Sequence, residues 1–331
     1  MASRIDWESQ IGKRLRLRDL HVFLAVAQHG SMAKAAAHLG VSQPAVSEVV
    51  ADLEFALDVK LLERGPHGVE PTNYGRTLLQ RSITAFDELK QGVREIEFQK
   101  DPTAGELRIG SVESIASSIL PSVILGFSQQ YPRVVLNVDQ IVTPTMELPR
   151  LRSRSLDLVL ARISAVPRED DDINVEILFE DRVVVAAGAH SKWARRRKID
   201  LAELANEPWA LLPGESRNTR VLQETFKARG LPMPKACVLT FSVHLRANLL
   251  ANGPFITAFP ASVLRFYADR HALKALPVKL PPQSWPVAVV TLKNRTMNPV
   301  GRAFIDYFKR FTSTIDLSDS PVAKRSAAAR P

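Results

Sequence analysis

Apolar residues recur at helical spacing from Leu17 onward. Leu17, Leu20, Phe23, Leu24 and Val26 share one face and the run stops at Gly30, which predicts a helix over 17–28 with a glycine end. Ser31 then caps a short helix over Met32 to Leu39, and Gly40 breaks the chain. Ser42 is a strong cap and Pro44 suits a first turn, so a third helix runs to about Leu57. Its inward stripe is Val46, Val49 or Val50, Leu53 and Leu57, which leaves Gln43, Ser47, Glu48 and Ala51 facing out. Residues 1–15 are polar, carry no such pattern and read as poorly ordered.

Helix, helix, glycine turn, helix is the order of a helix-turn-helix, and Ala35-Ala36-Ala37 supplies small side chains where two helices cross closely. Val59 to Arg64 and Val69 to Pro71 flank Gly65-Pro66-His67-Gly68, predicting a hairpin, or wing. Thr72 caps a long helix to about Phe98. In it Leu79, Phe86 and Val93 are spaced by sevens, as are Leu89 and Ile96, a short seam suited to a second copy of the helix. Residues 101–105 read as a hinge.

From Glu106 the pattern changes. Strands are expected at 106–110, 134–139, 157–161, 182–187, 209–212, 237–241, 255–258 and 287–292. Helices are expected at 115–130, 144–153, 201–205, 217–229, 244–252, 261–268 and from Pro299 to Phe311. The fold class is therefore α+β and multi-domain, with the alternating part built as α/β units that can form two lobes. The tail from Ser313 reads as disordered.

Charge narrows the picture less than expected. The chain carries +9 overall, yet residues 1–75 hold 8 Lys and Arg against 9 Asp and Glu, so the basic excess lies elsewhere. No stretch is apolar enough for a membrane span and the first 20 residues lack the core of a secretory signal, which predicts a cytoplasmic protein. The single cysteine, Cys237, lies in the apolar run Ala236 to Phe241 and reads as a core thiol in a buried strand. No catalytic motif, cofactor motif or metal constellation is present, so no enzyme activity, cofactor or metal is expected.

The stretch Leu20 to Leu79 resembles the DNA-binding region of LysR-type transcription regulators. The resemblance rests on Phe23 to Ala27, Gly30 to Ala36, Leu39 to Ser47, Leu53-Glu54, Leu57, Leu62 to Arg64, Gly68-Val69, Thr72 and Gly75. Glu106 to Gly110, Pro121, Phe127 to Pro132, Leu156 to Ala161 and Asn206 to Trp209 are similar to that family's sensor, extending the likeness over about 17–310. It implies a winged helix-turn-helix over 1–75, a dimerisation helix and hinge over 76–105, and an effector-binding domain over 106–312 like a periplasmic solute-binding protein. Lobe 1 is expected at 106–161 and 269–312, lobe 2 at 162–268, with the ligand cleft between. It implies double-stranded DNA, a small effector and RNA polymerase as partners, and a homodimer or homotetramer with no membrane.

In a major groove, Gln43 can bond adenine bidentately, Ala45 can touch a thymine methyl, and Ser47 can reach a base or a phosphate. Ser42 and Pro44 stand at the entering end, Ser42 either as cap alone or as a contact. Ser31, Lys34, Arg64 and His67 are candidate phosphate contacts, with Arg18 in support, though Arg64 could instead brace the hairpin through Glu63 or Glu70. Glu48, Asp52, Glu54 and Asp58 make this helix acidic, which predicts modest affinity per half-site offset by several binding together. Glu48 either accepts from cytosine or faces solvent. For the effector the candidates are Ser111, Glu113, Ser114, Thr143, Arg162, Asn218, Ser242 and His244, at strand ends and helix starts. Helix amides, Ser114, Thr143 and Arg162 suit an anionic group. Glu113 argues for a hydroxylated or cationic one, and each hydroxyl is equally a plain helix cap.

Overall fold

The computed structural model describes residues 15–65, 68–142, 144–163, 172–214, 216–281 and 285–315. The two ends expected to be poorly ordered fall, but for Leu15 and residues 313–315, outside these. The chain divides into two compact units, one up to Val93 and one from Arg94.

In the first unit the helices are α1 (Leu17–His29), α2 (Met32–Leu39) and α3 (Gln43–Leu57). The wing is β1 (Leu62–Gly65) antiparallel to β2 (Gly68–Pro71), and α4 (Asn73–Lys100) follows. Ser31 and Ser42 act as predicted, each hydroxyl oxygen accepting a backbone N–H three residues on, from Lys34 and Ala45. Gly40 closes α2 at φ 67°, a left-handed turn that lets Val41 N–H bond back to the Ala36 carbonyl. Phe23, Val26, Ala35, Val46, Leu53 and Leu61 form the core, and the small Ala35 lets α1 and α2 approach. Leu79 and Phe86 pack in part against this core, whereas Leu89, Val93 and Ile96 stay exposed. The predicted heptad seam is thus divided, its first half used inside the fold.

Among the described residues the second unit holds two five-stranded sheets. The first is ordered β4 (Arg133–Ile141), β3 (Ala104–Val112), β5 (Leu158–Arg162), β12 (Val287–Leu292), β6 (Ile173–Phe179). The second is ordered β11 (Leu273–Ala275), β7 (Val183–Gly188), β10 (Ile256–Pro260), β8 (Trp209–Leu211), β9 (Ala236–Leu239). Each mixes parallel and antiparallel neighbours. The helices are α5 (Glu113–Ala116), α6 (Ile119–Gln130), α7 (Pro144–Arg152), α8 (Arg217–Ala228), α9 (Val243–Asn252), α10 (Ala261–His271) and α11 (Pro299–Ser313).

Three expectations change. β6 and β11 were not anticipated, and pairing puts β6 in the first lobe's sheet and β11 in the second's. The chain therefore crosses between lobes at Phe179–Val183 and Ala275–Val287, later than the bounds expected from the resemblance. The reason is hydrogen bonding: β6 is held by β12 along its whole length, which hydropathy alone cannot register. Cys237 is exposed, because β9 is a sheet edge whose apolar run covers the core with alternate residues only. Residues 101–103 form a braced turn in which Asp101 accepts from the Thr103 amide at 3.0 Å and hydroxyl at 2.7 Å, and pairs with Arg133.

Asp157 organises the first lobe. Only 2 % exposed, it accepts from the Arg108 amide at 2.9 Å and guanidinium at 2.8 and 3.1 Å, and from Arg295 at 2.8 Å, with Arg94 of α4 at 3.8 Å. Burial raises its pKa, but the arginines and the amide outweigh that and hold it below the usual carboxylate range. A depressed carboxyl adds stability that is complete above its unfolded value of about 3.9 and is lost as pH falls through the folded value. Asp157→Asn should cost about 3–5 kcal/mol, read by denaturant unfolding of the C-terminal unit, and should flatten the acid limb of its stability curve below about pH 4. An unchanged midpoint and acid limb would remove Asp157 from this role.

Candidate functional site

Two of the concave surfaces among the described residues hold the candidate side chains. The first is a groove in the N-terminal unit, about 450 Å³, bounded by Ser31 at the start of α2, Gln43 and Ser47 on α3, and Glu63 and Val69 of the wing. Gln43, Ser47, Glu48 and Ala51 are all exposed on α3, with Ser42 and Pro44 exposed at its start and Ala45 half-buried. Lys34 and Arg18 are exposed as well. His67 and the Arg64 side chain lie outside the described residues. The wing is tied to the end of α1 by Val69 N–H, which donates to the Gly30 carbonyl at 2.8 Å. That approach requires glycine at 68: a Cβ there would stand 2.3 Å from the Gly30 oxygen, and φ is 129°.

The acids on α3 divide. Glu54 turns into the domain: Oε1 accepts the Leu61 and Leu62 amides at 2.9 and 3.2 Å, and Oε2 pairs with Lys60. Burial raises its pKa, but Lys60 and the two amides together leave it lowered. Asp58 ends the helix in a left-handed conformation, φ 52°. Glu48 and Asp52 remain as exposed acids beside Gln43 and Ser47, so the outward charge is smaller than the composition of the helix implied.

The second region is a cavity of about 270 Å³ between the two lobes of the C-terminal unit. Glu113, Ser114, Arg162 and Asn218 line it; Ser111 is fully buried and not among its lining, and Thr143 is outside the described residues. Ser242 caps α9, accepting from Leu245 N–H at 3.1 Å. His244 does not line the cavity; its ring meets the Tyr267 hydroxyl at 3.4 Å and Asn248 at 3.0 Å. Glu113 Oε1 crosses the gap to accept from the Ser242 hydroxyl at 3.5 Å and the His244 amide at 3.4 Å, placing a carboxylate of one lobe on a helix N-terminus of the other.

Arg162 is already paired. Its Nη2 donates to Asp181 at 2.8 Å and Ser262 at 3.0 Å, its Nη1 to Ser114 at 2.5 Å, and its guanidinium lies 5.2 Å from the Trp285 ring. Asp181 is in the first crossover and Trp285 in the second, so Arg162 ties both together, helped by Trp285 N–H donating to the Asp181 carbonyl at 3.0 Å. Asp181, Trp285 and Arg246 escaped sequence reasoning. Arg246 had a legible signal: it falls in the apolar stripe of α9 with Val243, Ala247 and Leu250, where an arginine has no structural reason to be.

Among the described residues no helix is long and apolar enough to cross a membrane. A family model described as the LysR substrate binding domain matches residues 100–313, and one for bacterial regulatory helix-turn-helix proteins of the lysR family matches residues 17–76. The HTH-type transcriptional regulator YdcI of Escherichia coli is 28% identical over 295 residues, 89% of this chain and 95% of that protein. GltC of Bacillus subtilis, a transcriptional dual regulator, is 28% identical over 302 residues, 91% and 99%. A full-length OxyR variant from Pseudomonas aeruginosa has a similar fold, with TM-score 0.63 at 22% identity over 92% of this chain and 96% of that one. CbnR complexed with its target DNA gives 0.59 at 21% identity, over 89% and 99%.

Glu54→Gln should lower the stability of the helix-turn-helix unit by about 1.5–3 kcal/mol, with the loss present at neutral pH and vanishing as pH falls below the usual carboxylate range. Amide exchange at Leu61 and Leu62 measures it. Unaltered protection of both amides would refute the role given to this carboxylate.

Proposed function

Because this chain belongs to the LysR family of transcriptional regulators, with a helix-turn-helix that binds DNA and a C-terminal domain that binds an effector, we propose that α3 enters the major groove of an operator with Gln43 and Ser47 reading base edges. The observation that carries this reading is the exposed pair Gln43 and Ser47, one turn apart on α3, along a groove walled by the wing. Ser42, Pro44 and Ala45 stand at the entering end. Glu48 accompanies them as an exposed acid, beside phosphate contacts from Ser31, Lys34, Arg64 and His67. The protein acts as a regulator and not an enzyme, and the same reading puts it in the cytoplasm, where its DNA-bound form works through RNA polymerase.

The interlobe cavity is the effector site in this reading, with Glu113, Ser114 and Asn218 on its walls and the helix start at Ser242 and His244 bonded to Glu113. Arg162 sets the hinge there and offers little free charge. Leu89, Val93 and Ile96, apolar and exposed on α4, support pairing of that helix with a second copy. A dimer or tetramer would add half-sites, which compensates for an α3 surface that carries Glu48 and Asp52 and no base.

Footprinting upstream of the gene and its neighbours should show a protected site, and Gln43→Ala should lose about 1–3 kcal/mol of discrimination at one base pair. An identical footprint from the variant would end the assignment of Gln43. Replacing Leu89 and Val93 together by Asp should yield monomers by sedimentation and weaken operator binding far more than it alters unfolding. Retention of the oligomer would exclude this face.

A further inference from the structure

The interlobe cavity carries information about what it takes. Its charged lining, among the described residues, is Glu113, Arg162 and Arg246. Arg162 is neutralised by Asp181, in a pair whose side chains are 4 % and 1 % exposed. That leaves one carboxylate and one guanidinium. Arg246 is 2 % exposed, and its hydrogen bonds go only to uncharged oxygens, at 3.2 Å to Ala258, 3.4 Å to Thr257 and 3.5 Å to Ser242, over the Phe259 ring at 4.5 Å. Burial lowers its pKa to about 10, against a raising influence from Glu113, the behaviour of a cation with no carboxylate in direct contact. Glu113 is under-satisfied in the complementary sense: Oε1 has two long contacts and Oε2 is buried with no hydrogen-bond partner.

Asn218 adds a second unmet acceptor. Its Nδ2 donates to the Ala258 carbonyl at 3.2 Å, which fixes the amide orientation and leaves Oδ1 buried and unpartnered. The same carbonyl accepts from Arg246, so Asn218 and Arg246 stand side by side on the second lobe. Across from them Ser114 Oγ accepts from Arg162, leaving its own hydrogen to donate. The remaining walls include Ile141, Val142, Leu212, Phe241 and Trp285.

We propose that the effector is a small zwitterion with an apolar side chain, of the free α-amino acid class, its ammonium held by Glu113 and Asn218 and its carboxylate by Arg246 and Ser114. The proposal rests on reading this cavity as the effector site. A net anion would sit beside Glu113 with one charge uncompensated, and a net cation beside Arg246 would do the same. A neutral sugar would leave both charges without an ionic partner. A volume of about 270 Å³ lies at the small end of ligand pockets, room for one amino acid and not a peptide. Bound in this way the ligand would join Glu113 of one lobe to Arg246 and Asn218 of the other, favouring the closed lobes by its differential contacts.

The test is calorimetric titration of the full chain with L-leucine, L-phenylalanine and L-methionine, each alongside its N-acetyl acid and its amide, and with succinate and galactose. At least one amino acid should bind, with its N-acetyl and amide forms about tenfold weaker or worse. Glu113→Gln should weaken the amino acid about tenfold while changing the N-acetyl acid less than about twofold, a split that general damage to the fold would not give. Arg246→Gln, deeply buried, is read only if its unfolding stays cooperative; Ser114→Ala is the milder probe of the carboxylate end. Binding of none of the amino acids overturns the proposal. So does succinate or galactose binding that Val142→Trp, which fills the cavity, abolishes, although the cavity then keeps its role. Binding that persists in Val142→Trp removes the cavity itself from effector recognition.

Discussion

The arrangement of the sensor unit depends on one buried ion pair, Arg162 with Asp181. The chain passes twice between its lobes, and this pair sits where the two passages meet, with Ser262 and Trp285 completing the shell. Two charges so far from water hold together only because nearly every polar atom is supplied: Asp181 also accepts from the Arg182 and Ser262 amides and the Ser262 hydroxyl. Strand β5, both crossovers and the start of α10 are therefore constrained at one point. Freedom is left to the walls further out, where Glu113 reaches across through contacts of 3.4 and 3.5 Å. A tight pivot beside a loosely bridged mouth is what a cleft needs if occupancy is to change its opening.

The N-terminal unit uses charge in the opposite way. Residues 1–75 carry one more acid than base, at odds with a polyanionic partner until the acids are located. Glu54 is consumed in joining α3 to the wing, and Asp58 serves the helix end. The surface that remains, Gln43 and Ser47 with Glu48 and Asp52 beside them, offers an amide, a hydroxyl and two carboxylates and no cation.

Local signals in the chain were legible wherever one residue type does one job. Ser31 and Ser42 cap the helices that follow them, and Gly30 and Gly40 end the ones before. What stayed hidden depends on neighbours remote in sequence. β6 alternates Ile173, Val175 and Ile177 with polar residues, a strand pattern, but its lobe is decided by β12 more than a hundred residues later. Cys237 sits in an apolar run, and only its place at a sheet edge exposes it. The helix starts around the cleft were visible; Arg246, Asp181 and Trp285, which give it charge and a pivot, come from three segments that only the fold brings together.

The two sheets also differ in how the chain supplies them. Every strand of the second comes from one continuous stretch, 183–275, so it can assemble as soon as that stretch exists. The first cannot: β12 lies between β5 and β6, and without it β6 has no hydrogen-bonded neighbour in the sheet. The core of that lobe likewise waits for Phe304 and Phe308 of α11, the former packed on Phe127 with ring centres 5.3 Å apart. During synthesis the second lobe is thus complete while the first still exposes an unpaired strand edge, and closure over such sequence distances is slow. The Arg162 pivot gains Trp285 only at that stage. The walls of the interlobe cavity are therefore completed late in synthesis, after the chain has passed Trp285.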